Sequence, residues 1–370
     1  MNITLLSAFI FVGVFAAVVL IHEFGHFVAA RLLKVDVDEF GIGLPPRALT
    51  LFRWKGTDFT LNWLPLGGFV RPKGENDPSV EGGLAASSPW VRLGVLFAGP
   101  VMNLLAGVLV NSMLFAQVGI PDMTRVMLYD VSPNSPAEQA GLQADDMILA
   151  IDGEQVAGDE SFRSAIQSHL DQPMQITVQR GDETLELTAL PLSSRAADEG
   201  ALGILPGPPM VPATSFIQTI PYGARYTYSQ IRQIISLPAM MIRGNLSPDE
   251  GRFIGLKGIY DLFGQAVSRD VETREQATTA PPEAAPIEPS NFTLQIIASL
   301  TLTLGIFNLL PFPALDGGRI IFVLPELVLR KRVPPEFENL VHAVGFALLI
   351  GLMIYINAMD FINPVQFTLP

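Results

Sequence analysis

The chain predicts a multi-pass α-helical membrane protein with four spanning helices, a membrane-associated β-hairpin or sheet after the first span, and a separate α+β domain after the second. Three observations predict it. Of the 370 residues, 49% are hydrophobic and only 16% charged, with a mean hydropathy of +0.37, the profile of membrane spans that carry soluble parts. Four apolar runs, residues 3–21, 93–121, 291–315 and 340–359, contain no Asp, Glu, Lys or Arg, and each is long enough to cross a bilayer as a helix. Residues 117–290 hold 11 Lys/Arg against 23 Asp/Glu, so −12 of the net −13 lies in one segment.

Residues 1–34 form the first span. No Lys or Arg precedes Arg31, and no convincing small-residue cleavage site follows, which argues for a retained helix rather than a leader. Arg31 and Lys34 come just after it. Eight Lys/Arg lie in residues 27–92 and four in residues 316–340, so basic density puts these segments in the cytoplasm and the N-terminus outside. The order that follows is a cytoplasmic loop at 35–90, a second span at 91–117 and an external domain at 118–206. Residues 207–270 interleave Tyr222, Tyr226 and Tyr228 with Arg225, Arg232 and Arg243, as interfacial amphipathic helices do. Residues 271–290 are rich in Glu, Ala, Pro and Thr and read as a flexible linker. A third span at 291–318, a cytoplasmic segment at 319–339, a fourth span at 340–360 and an external tail at 361–370 complete the chain. The acidic balance excludes a basic nucleic-acid face. The absence of cysteine excludes disulfides and thiolate chemistry.

In the cytoplasmic loop, residues 57–70 alternate apolar and polar up to Gly67-Gly68, which predicts a short β-hairpin. A sheet dipping into the membrane interface and an ordinary surface hairpin both fit that pattern. In the external domain, Ser135-Pro136 opens a short helix closed by Gly141. A strand over 147–151 then ends in the turn Asp152-Gly153, and two strands flank Gly181-Asp182. His169 reads as an ordinary surface residue.

The candidate chemistry begins at His22-Glu23-Phe24-Gly25-His26, at the end of the first apolar run. On a helix, residues four apart share a face, so His22 and His26 can reach one metal ion. Glu23 is placed beside them to take a proton from the attacking water. Ionisable groups at membrane depth are costly and mark function. The same string could instead be a polar helix end at the interface. A catalytic zinc takes three protein ligands, and the third candidate is Asp316, in Asn308-Leu309-Leu310-Pro311-Phe312-Pro313-Ala314-Leu315-Asp316-Gly317-Gly318. Pro311 and Pro313 break the helix before it, and Gly317 and Gly318 permit tight turns; the alternative is that Asp316 merely caps the helix that follows. His342 is expected away from the metal.

HEFGH in the first span, NLLPFPALDGG in the third and the domain between them resemble the site-2 protease family of intramembrane zinc metalloproteases, most closely the bacterial members that cleave anti-sigma factors. The intervening domain resembles the PDZ domains of bacterial proteases, with Ala144-Asp145-Asp146 where that family usually has Gly-Asp. The resemblance implies one zinc per chain held by His22, His26 and Asp316, with Glu23 as the catalytic glutamate and Asn308 holding substrate. It also implies that Gly41, Gly43 and the stretch Gly67-Gly68-Phe69 engage an extended substrate, and it extends to Gly99-Pro100 and Asn103. The expected substrates are single-span membrane proteins in the lipid bilayer of a bacterial plasma membrane, already trimmed outside it. The PDZ-like domain either binds a peptide C-terminus or blocks bulky substrates. The rival reading is a silent scaffold recruiting partners through that domain. A zinc transporter would need further ionisable residues in its spans.

Overall fold

The structure is a computed structural model that describes residues 3–194, 200–244, 252–279 and 291–364. In order its elements are α1 (Ile3–Leu32), β1 (Val37–Trp54), β2 (Thr57–Pro72), α2 (Pro89–Val118), β3 (Ile120–Pro121), β4 (Val126–Val131), α3 (Pro136–Gln139), β5 (Met147–Ile151) and β6 (Glu154–Gln155). There follow α4 (Asp159–Ser168), β7 (Met174–Arg180), β8 (Glu183–Ala189), β9 (Ile204–Gly207), β10 (Met210–Val211), α5 (Phe216–Ile242), α6 (Leu256–Thr279), α7 (Phe292–Asn308), α8 (Asp316–Leu329) and α9 (Pro335–Ile362). They form two compact units, one of residues 1–114 and 220–370 and the other of residues 115–219.

Among the described residues of the first unit, α1, α2 and α9 are long and apolar enough to cross a membrane. The third apolar run departs from the expected 291–318 span. Its helix α7 has 17 residues and stops at Asn308, because Pro311 and Pro313 cannot donate backbone hydrogen bonds to a continuing helix. The chain then crosses residues 309–315 without regular structure and re-enters a helix at Asp316. Much of the 319–339 segment is therefore helical. So are residues 271–279 of the expected linker, which belong to α6; residues 280–290 lie outside the described residues.

The hairpin is larger than the sequence implied. Its turn is Lys55-Gly56, between β1 and β2, and Gly67-Gly68 lies inside β2. Each strand folds over, so residues 37–44 pair on one side with 57–61 and on the other with 64–72, while 47–54 pair with 57–62. The result is effectively a four-segment antiparallel sheet. Glu39, 3% exposed, ties all four segments: it accepts from Thr60 Oγ1 (2.8 Å), Arg47 Nη2 (2.7 Å) and Arg71 Nη1 (3.0 Å). A buried carboxylate persists only with such partners. Phe27 of α1 packs edge-on against Phe40 and Phe59, fastening the sheet to the first helix.

The second unit is a sheet in the order β8-β7-β5-β4-β9, with β6 beside β5. Strand β7 alternates buried and exposed side chains, and Met174, Ile176 and Val178 join Val126, Leu128, Ile148 and Phe162 in one core. The predicted short helix is present: Ser135 Oγ accepts from Glu138 N–H at 3.1 Å, and Pro136 takes the first helical position. Asp145 has φ +68°, a left-handed backbone that aspartate is among the few side chains to tolerate. Asp146 is fully buried and held by Arg180 through two 2.7 Å hydrogen bonds. The unit runs past residue 206 because β10 pairs with β3.

Candidate metal centre

His22 and His26 lie on one face of the last turns of α1, 6% and 9% exposed. Helix α8 brings Asp316 to them as its first residue. Asp316 Oδ2 stands 3.0 Å from His22 Nε2 and 3.3 Å from His26 Nε2, and the two Nε2 atoms are 3.1 Å apart. Tetrahedral bonds of about 2.0–2.1 Å to zinc would set donors roughly 3.3 Å apart. The triangle and its two-nitrogen, one-oxygen donor set therefore fit that ion. Among the described residues this is the one group of three that could hold a metal. The carboxylate is turned to the imidazoles, and no side-chain cap bond is present at the start of α8.

Local backbone explains how Asp316 arrives. Residues 309–315 turn tightly through Phe312 N–H to Leu310 C=O (2.7 Å) and Leu315 N–H to Phe312 C=O (3.2 Å). Ala314 is held at φ +80°, a strained position for a residue with a Cβ. Its N–H donates to His342 Nδ1 of α9 at 3.0 Å. His342 thus serves the loop two residues before Asp316, a role that its isolated place in an apolar run did not announce.

A cavity of about 310 Å³ opens at the cluster, lined by His22, Glu23, His26, Asp316, Asn308 and Phe69 among others. Glu23 accepts from Val70 N–H of β2 at 2.9 Å. Asn308 donates to Leu304 C=O at 3.1 Å in its own helix. Gly41, Gly43, Gly67 and Gly68 are not among the lining residues. A Cβ on Gly67 would stand 2.9 Å from Val19 Cγ1, and one on Gly68 2.6 Å from Leu20 Cδ2. These two glycines let β2 lie directly on α1, one turn before His22. An ion pair of Arg319 with Glu75 also borders the cavity; neither residue was singled out by sequence, since single charges in loops and helices carry no pattern.

Helix α2 closes the other side. A Cβ on Gly25 would stand 2.9 Å from Met102 Cβ, so α1 and α2 cross in close contact, as small residues permit in membranes. Val95 C=O accepts from His26 Nδ1 at 2.8 Å, and Asn103 Nδ2 lies 3.4 Å from His22 Nδ1.

Comparison with known proteins identifies the family. The family model for peptidase family M50 matches residues 10–352. A candidate zinc metalloprotease of Clostridium perfringens is 32% identical over 95% of this chain and 97% of its own. The zinc metalloprotease RasP of Oceanobacillus iheyensis is 28% identical over 95% of this chain and 97% of its own, and the metalloprotease MmpA of Caulobacter vibrioides is 27% identical over 92% of each. A solved PDZ domain of HtrA3 covers 26% of this chain at 21% identity, with a TM-score of 0.18, too low to carry an argument. With its matched helices apolar enough to span a membrane, the chain belongs to peptidase family M50, the site-2 proteases, and is a membrane-associated zinc metalloprotease.

Proposed function

We propose that the chain cleaves peptide bonds in or near the transmembrane segment of single-span membrane proteins, anti-sigma factors among them, after an earlier cut outside the membrane. The observation that carries the reading is the meeting of His22, His26 and Asp316 beside Glu23, at the end of an apolar helix and in one cavity. His22, His26 and Asp316 are the proposed zinc ligands. Zinc in that position supplies a Lewis acid and brings the pKa of water toward neutrality. Glu23 accepts a proton from the attacking water and returns it to the leaving amine. Its hydrogen bond from Val70 N–H keeps the carboxylate at the cavity.

A helical substrate hides its amides, so it must be unwound before hydrolysis. Residues 64–72 of β2 pair with 37–44 on one side, and Phe69 and Val70 border the cavity. An extended substrate added at the other edge of this segment would exchange its internal hydrogen bonds for intermolecular ones. Asn308, which also lines the cavity, is proposed to hold the same chain. The second unit is read as an external PDZ domain that takes a peptide C-terminus or excludes an untrimmed substrate, and the density of basic residues supports a metal centre toward the cytoplasm.

The test pairs zinc content with cleavage of a single-span substrate in detergent. Wild type and Glu23→Gln should each carry about one zinc per chain, and only wild type should cleave. Turnover by Glu23→Gln would overturn the assignment of the general base.

A further inference from the structure

A histidine that ligates a metal through Nε2 carries its proton on Nδ1, and that N–H needs an acceptor. The Nε2 atoms of both His22 and His26 face Asp316, so on the ligand reading above both Nδ1 atoms must donate. For His26 the acceptor is Val95 C=O, 2.8 Å away. For His22 the neighbour is the amide of Asn103, with Nδ2 at 3.4 Å. An amide nitrogen cannot accept.

Asn103 is fully buried, and its Oδ1 has no hydrogen-bond partner among the described residues. Buried polar atoms without partners are rare and costly. Rotating the amide by half a turn exchanges oxygen and nitrogen at almost no change in shape. That one motion gives His22 Nδ1–H its acceptor and relieves the orphaned oxygen. The spacing supports the pairing. Positions 95, 99 and 103 follow every fourth residue along one face of α2, opposite His26 and His22, which are four apart on α1. Gly99, in the middle, leaves room for both rings: a Cβ there would stand 2.8 Å from His22 Nε2.

We propose that Asn103 is a positioning residue whose amide oxygen accepts from His22 Nδ1–H and so holds His22 in the tautomer that ligates zinc.

The test is zinc affinity of the full chain in detergent, measured by chelator competition, for wild type, Asn103→Leu, Asn103→Asp and His22→Ala. Loss of such a partner typically weakens metal binding about 10- to 100-fold, and that is expected for Asn103→Leu. Its zinc-free melting temperature should stay near that of wild type, because leucine fills nearly the same buried volume as asparagine. Asn103→Asp keeps an acceptor and should bind zinc within a few-fold of wild type. A packing role predicts the opposite order, with leucine tolerated and the buried carboxylate not. The proposal is overturned by wild-type affinity in Asn103→Leu, or by equal weakening in both variants with a lowered zinc-free melting temperature. His22→Ala separates the two readings: if it binds zinc as wild type does, the ligand set itself is wrong and this proposal falls with it.

Discussion

Gly99→Ala is the sharpest small perturbation of the metal centre. The new Cβ would stand 2.8 Å from His22 Nε2 and 2.6 Å from His26 Cε1, with His26 Nε2 closer still. Ordinary contact requires about 3.4 Å, so the His22 ring must retreat by roughly 0.6 Å, three times the about 0.2 Å tolerance of zinc–ligand distances. Overpacking of this kind costs about 1–3 kcal/mol. The cost is greater in the loaded state, where the short bonds to the ion fix both rings. The same substitution gains about 0.8–1 kcal/mol of helix propensity in α2, so the zinc-free protein should melt no lower than wild type. At 1.4 kcal/mol per tenfold, zinc affinity should drop about 5- to 140-fold. Chelator competition on the full chain in detergent measures it, with calorimetry on the zinc-free form alongside. Undiminished affinity would refute the argument that Gly99 makes room for both imidazoles.

Two further outcomes concern the second unit. Arg180→Met leaves Asp146, fully buried, without its two 2.7 Å hydrogen bonds from the guanidinium and with Gln143 N–H as a remaining donor. Because Arg180 itself is partly exposed, the expected loss is about 2–3 kcal/mol rather than the larger penalty of a fully buried pair, read as faster amide exchange in β4 and β5; unchanged exchange would remove Asp146 from the list of stabilising groups. Asp122 accepts from Thr124 Oγ1 and N–H and from Arg125, which lower its carboxyl from 3.8 to about 2. A depressed carboxyl stabilises the fold above its unfolded value, so this contribution is complete above about pH 4 and lost as pH falls toward 2. Carboxyl NMR should find that titration, and Thr124→Ala should raise it toward 3.8.

The meeting of His22, His26 and Asp316 was legible because its two halves obey simple rules: a spacing of four residues on a helix, and a carboxylate next to prolines and glycines at the end of an apolar run. The β7–β8 hairpin and the capped helix α3 were equally plain, since Gly181-Asp182, Ser135-Pro136 and Gly141 act over a few residues. The four-segment sheet was not. It depends on both strands folding over and on Glu39 reaching residues 8, 21 and 32 positions away, and no local period records that. The contacts of Asn103 with His22 and of His342 with Ala314 escaped for the same reason, because each is defined by a partner on another element. The break after α7 was legible in Pro311 and Pro313, but hydropathy continues through residues 309–315 and so set the expected span too long.

That early stop has a consequence for the lipid. At about 1.5 Å per residue, the 17 residues of α7 span roughly 25 Å, against a hydrocarbon core of about 30 Å. Lipids beside a short helix shorten to match it, at a fraction of a kcal/mol per ångström. If α7 is a span, as its apolar run predicts, the bilayer would be thinnest where α7 gives way to the loop that delivers Asp316. A hydrolytic centre needs water, and a local dimple would bring the headgroup region toward the site without a long aqueous pore. Acyl-chain length in the surrounding membrane would then be a physical variable acting on the site.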